Sequence, residues 1–101
     1  MAKNVYLVNK ALIFNLESMY NHLKVQEYDA MMDNDWSRMD ELESRLDEIE
    51  KLMEYAPYPG CAVTWEILSR LREISKERNM QRYQNCINQG MTPQEANLAI
   101  F

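Results

Sequence analysis

Ala56-Pro57-Tyr58-Pro59-Gly60 decides how the chain is read. Two prolines remove two amide donors and disfavour α backbone at the residues before them, so a helix must end here. Residues on both sides have helical periodicity. From Asp35 to Ala56 the apolar positions are Trp36, Met39, Leu42, Leu46, Ile49 and Met53, steps of three and four close to a heptad seam. The opposite face is charged: Asp40, Glu41, Glu43, Arg45, Asp47, Glu48, Glu50 and Lys51. Asp35 or Ser37 offers an oxygen to cap its start. Beyond the loop, Thr64 is a good N-cap and Glu66 suits the first turn. Ile67, Leu68, Leu71 and Ile74, then Met80, Tyr83 and Ile87, give an apolar face that ends at Gly90.

Working outward, residues 4–32 read as a first helix. Val5, Val8, Leu12, Leu16, Met19 and Leu23 again step by three and four. Leu7, Ala11, Ile13 and Phe14 widen that stripe, so the helix needs cover on more than one face. After Leu23 the phase slips to Val25, Tyr28 and Met32, which predicts a bend or break near His22–Lys24. The Tyr28–Met32–Trp36 phase also allows residues 33–35 to be a surface stretch of one longer helix. At the other end, Thr92-Pro93-Gln94-Glu95 has the pattern of a capping box with proline at N1. It predicts a short helix, residues 93–100, closing on the apolar tail Leu98, Ile100 and Phe101.

The expected fold is therefore all-α. It is a small helical bundle of three or four helices in a single domain, residues 1–101, built on an antiparallel helical hairpin with its loop at 57–63. The composition agrees: 47% hydrophobic and 27% charged residues with only 2 Gly and 3 Pro in 101 argue for a folded helical chain and against the many tight turns of an all-β fold.

Charge is unevenly distributed within a net of −5. Residues 33–54 hold nine acids and three bases; residues 70–82 hold five bases and two acids. A hairpin about residues 57–60 sets Glu50 near Arg70, Glu48 near Arg72 and Leu42 near Arg78. The two stretches then neutralise each other, each exposed pair contributing tenths of a kcal/mol. That arrangement is preferred over a nucleic-acid surface on the basic stretch and over mimicry of DNA phosphates by the acidic one.

Chemistry-bearing motifs are missing. The single His22 has no acid at i±3 or i±4 to orient it. Cys61 and Cys86, with that histidine, are too few for a structural zinc site. They read as thiols of a reducing compartment. No phosphate-binding glycine motif, nucleophile elbow or zinc-protease motif is present. No signal peptide is evident, and no apolar run approaches the roughly 20 residues a membrane span needs. The expectation is a cytoplasmic, non-enzymatic protein with no cofactor, metal or catalytic residue.

The positive signals point to binding. There are eight methionines, whose flexible thioethers suit both cores and adaptable surfaces. Tyr55, Tyr58 and Trp65 bracket the Pro-Gly loop, and such aromatics either cap a local core or anchor a partner. Those three with Leu98, Ile100 and Phe101 are the candidate partner-binding residues. The wide apolar arc of the first helix and the seam of the second predict a homodimer or higher oligomer. A regulator or inhibitor that occludes a larger protein is the leading expectation. The size, acidity and helicity suit, in type rather than by any motif, the small regulatory proteins that bacteriophages make. An oligomer holding a small anionic ligand such as a nucleotide is the alternative, with Arg70, Arg72, Arg78 and Arg82 as cations and Tyr83 as stacking ring. A structural or assembly subunit docking through the tail is the third.

Overall fold

The computed structural model describes residues 4–100. Four helices follow in order: α1 (Lys10–Met32), α2 (Trp36–Tyr55), α3 (Trp65–Asn88) and α4 (Pro93–Ile100). A two-stranded antiparallel ribbon, β1 (Tyr6–Leu7) with β2 (Ala62–Val63), completes the fold. The small all-α bundle expected from periodicity is what the chain forms.

Two boundaries differ from the expectation. The first helix starts at Lys10, not at residue 4, because Asn9 caps it: Asn9 Oδ1 accepts from the Leu12 amide at 2.8 Å. The Val5–Val8 run instead lies along the loop segment. Tyr6 pairs with Val63 and Leu7 with Ala62. The Val8 amide donates to the Cys61 carbonyl at 2.9 Å, and the Gly60 amide to the Val8 carbonyl at 2.7 Å. Residues 62–63, expected in the hairpin loop, are therefore β2. Gly60 turns the chain into it at φ +88°, a conformation that suits glycine.

No bend interrupts α1, which is continuous through His22–Lys24. The phase slip rotates the apolar stripe around an intact backbone, leaving Val25, Tyr28 and Met32 exposed. The helix stops at Asp33-Asn34-Asp35 through a Schellman motif. Asn34 takes the left-handed position at φ +55°; its amide donates to the Met31 carbonyl, and the Asp35 amide to the Ala30 carbonyl. Asp35 then caps α2 by accepting from the Arg38 amide. The same motif recurs at the end of α3 with Gly90 at φ +95°. At the start of α4, Thr92 Oγ1 accepts from the Glu95 amide and donates to Glu95 Oε1. A capping box would return the Glu95 carboxylate to the Thr92 amide; here that carboxylate accepts from the Thr92 hydroxyl.

The core forms around α1. Leu12, Ile13, Leu16, Met19, Leu23 and Ala30 are buried with Leu42, Leu46, Ile49 and Leu52 of α2, and with Leu71 and Ile74 of α3. Val8, Cys61 and Val63 close it at the ribbon. α2 and α3 meet mainly through long charged side chains. Arg45 gives Glu77 two bonds of 2.8 Å from Nη2, and Arg70 grips Glu48 through Nε, at 3.0 Å, and Nη2. These pairs run antiparallel and straddle the expected register: Arg70 meets Glu48 rather than Glu50. The Cα trace spans 52 × 38 × 17 Å. Parts of α1 stay uncovered: Phe14, Val25, Tyr28 and Met32 are each more than half exposed.

Candidate functional site

Two regions gather the residues singled out by the sequence. The first is the end of the molecule that carries the Pro-Gly loop. Tyr55, Tyr58 and Trp65 are 62%, 60% and 52% exposed, so they do not cap the local core. The ribbon adds Tyr6 and Leu7, and Val5 precedes it; all three fall in the helix that the periodicity predicts from residue 4. The Tyr6 and Trp65 rings stack with centroids 5.4 Å apart and planes tilted by 58°. A groove of about 370 Å3 runs between the ribbon and the helix ends, lined by Val5, Tyr55, Ala62, Val63, Thr64 and Ile67. The sequence signal for this addition was the strand-like Val-Tyr-Leu-Val run directly before an asparagine N-cap.

The second region is the flank where α1 meets the C-terminal half of α3. The four candidate arginines do not converge. Arg70 is committed to Glu48 and to Glu73, 2.8 Å away. Those carboxylates hold the Arg70 guanidinium protonated well above its ordinary range, and the hydrogen bond from Arg70 holds Glu48 below its own. Arg72 is exposed. Arg78 and Arg82 do come together, on α1. Arg78 Nε and Arg82 Nη2 both donate to Ser18 Oγ, at 2.9 and 2.7 Å. Arg82 Nη1 donates to Asn15 Oδ1 at 2.7 Å, and Asn15 Nδ2 to Ser75 Oγ at 2.6 Å. A guanidinium can only donate, so it fixes which way the buried Asn15 amide points. Arg78 Nη1 reaches Gln81 Oε1 at 3.1 Å.

Among the described residues neither Arg78 nor Arg82 has a carboxylate within 4.0 Å. Partial burial and the neighbouring Arg82 charge push the Arg78 guanidinium down from its ordinary value. Phe14, 59% exposed, lies under Arg82 with the guanidinium carbon 5.0 Å from the ring centre. Phe14 supplies a ring at this place, and Tyr83 on α3 is half-buried. Phe14 borders an open groove of about 430 Å3, lined also by Glu17, Ser18, Asn21, His22, Val25 and Arg78. His22 Nε2 lies 3.0 Å from the Gln26 amide nitrogen; a ring that accepts this bond carries its proton on Nδ1. Burial first, then the charges of Arg78 and Arg45, lower its pKa; Glu77 opposes them. Sequence reasoning missed Phe14, Asn15, Ser18 and His22. The signal shared by Asn15, Ser18 and His22 was a polar row interrupting an otherwise apolar helix.

The tail divides. α4 packs on α3 and buries Ala96 completely, whereas Leu98 stays 86% exposed and Ile100 is half-buried. Phe101 lies outside the described residues. Cys61 is buried, Cys86 is half-buried, and both are free thiols. Among the described residues no three His, Cys, Asp or Glu side chains are grouped to hold a metal. No helix among them is long and apolar enough to cross a membrane. Comparison with protein families, curated proteins and solved structures returns no match.

Proposed function

We propose that this protein is a non-enzymatic binding module that occludes a partner protein with the aromatic end of its hairpin. One observation supports this most: Tyr55, Tyr58 and Trp65 are each more than half exposed at the loop end of the molecule, where Tyr55 also lines an apolar groove. Large aromatics left in water beside a preformed groove match the residue types and setting of interface hot spots, where single anchors contribute about 2 kcal/mol or more. The acidic face of α2 would add long-range attraction and selectivity for a basic partner surface. Self-association is part of the same reading. Its best-placed surface is the opposite end, where Tyr28, Met31, Met32 and Trp36 are exposed around the α1–α2 turn.

Site-specific photo-crosslinking tests the reading. A photoreactive side chain at Tyr58 is expected to give a discrete heteromeric adduct in extract of the source cells. The same group at the exposed Gln84 of α3 is expected to give none. Equal yields from both positions would remove the aromatic end from the account. Adduct yield that ignores ionic strength would remove the acidic face.

A further inference from the structure

The groove between α1 and α3 has no role in the protein-binding reading, and its chemistry is unlike the rest of the surface. Elsewhere, Arg45 and Arg70 each meet a carboxylate. Here two guanidiniums meet on one neutral hydroxyl. An arginine has five N–H donors. Arg78 directs only Nε and Nη1 at protein oxygens, and among the described residues its Nη2 has no hydrogen-bond partner. Like charges held this close, with no carboxylate among the described residues within 4.0 Å of either, attract an anion.

We propose that this groove binds a small organic carboxylate with an aromatic or apolar body. Arg78 supplies the direct fork to the carboxylate. Arg82, fixed by Asn15, Ser18 and Phe14, supplies the second positive charge. Phe14 and Val25 offer the apolar floor on which the body of the ligand rests. The volume, about 430 Å3, falls within the ordinary range for small-molecule sites. Glu17 decides the charge. Two arginines, one carboxylate and a neutral His22 leave a single net positive charge, which matches a monoanion better than a phosphate dianion.

His22 is the only histidine, so its ring resonances report on the groove without ambiguity. Benzoate is the probe. Its titration is expected to shift the His22 ring signals saturably, with a dissociation constant of about 1 mM or tighter. The groups facing His22 are Glu17 on its own helix, Arg45 on α2, and Arg78 and Glu77 on α3. A bound carboxylate offsets the two arginines, so the pKa of His22 rises on binding.

Arg78→Gln is expected to weaken benzoate about tenfold or more, since the fork and a charge are both lost. Lys51→Gln removes the same charge from an exposed position on α2 and leaves affinity unchanged. Phenyl phosphate, a dianion at neutral pH, binds more weakly than benzoate. An unsaturable shift overturns the proposal, as does equal affinity in Arg78→Gln or an equal loss in Lys51→Gln. Tighter binding of phenyl phosphate overturns the choice of a monoanion. Should Arg78→Gln not fold, Arg78→Lys decides. It keeps the charge and loses the fork, and wild-type affinity there overturns the role of Arg78.

Discussion

The two flanks of α3 use arginine in opposite ways. Toward α2, Arg45 and Arg70 meet carboxylates from the facing helix, through Arg45–Glu77 and Arg70–Glu48. Toward α1, Arg78 and Arg82 meet Ser18, Asn15, Asn79 and Gln81, all neutral. The first flank holds charge-neutral pairs at the surface, where they set register and contribute little else. The second is a hydrogen-bonded network with surplus positive charge. Its inner members, Asn15 and Ser75, are nearly sealed from solvent at 5% and 9% exposure. A basic stretch that looks uniform in sequence therefore divides into an ion-paired half and a half hydrogen-bonded to neutral side chains, according to which neighbour each turn of α3 faces.

The largest effect on this contrast comes from the residue between the two rows. Ile74 lies one turn before both Glu77 and Arg78 and is fully buried. Ile74→Ala is expected to cost about 2–5 kcal/mol in urea unfolding, through lost transfer energy and the cavity left behind. It would loosen both flanks together. A cost under about 1 kcal/mol would show that α3 is not anchored there.

Asn15→Leu separates the flanks. It leaves Ser75 and Arg82 without their shared partner and is expected to cost about 1–3 kcal/mol, with little dependence on salt. Glu48→Gln on the other flank is expected to cost at most about 1 kcal/mol, and less as salt is added. Equal costs with equal salt dependence would erase the distinction.

The smallest effects are in pH. Glu48 has a folded pKa below its ordinary 4.5, so its contribution is complete above that value and is lost as pH falls through the folded pKa. His22 is also lowered, from 6.5. The unfolded chain then binds more protons just below pH 6.5, so stability is complete above that value and declines below it. Thermal melts across pH are expected to show two shallow steps. His22→Gln removes the upper one and Glu48→Gln the lower one. A single step surviving both changes would place the titration elsewhere.

Much of the helical plan was legible because its stop signals are local. Pro57 and Pro59 end α2, Gly90 ends α3, and Thr92-Pro93 starts α4 through bonds within one turn. The α2–α3 register was readable to within two residues because opposite charges sit at matching distances from the loop. Other features escaped for specific reasons. Val5 and Val8 keep helical phase with Leu12, so nothing in periodicity separates the ribbon from α1. The pairing of residues 6–7 with 62–63 joins distant parts of the chain, and two-residue strands carry little pattern. Asn34 does a glycine's task at the α1–α2 turn, which made the break hard to see. The division of the arginines depended on α1 being the helix both partners pack on, and no local signal specifies that.

The ribbon has a consequence for the order in which the chain folds. By tying Val8 to Gly60 and Cys61, it fastens the two ends of a segment that contains all of α1 and α2. Closing a long flexible loop has an entropic cost that grows with its length. Forming the α1–α2 hairpin first brings Val8 and Ala56 into one core cluster and shortens the gap left to bridge. The ribbon is therefore expected to be a late clasp, forming once the helical pair exists and then coupling the fraying of the two helices.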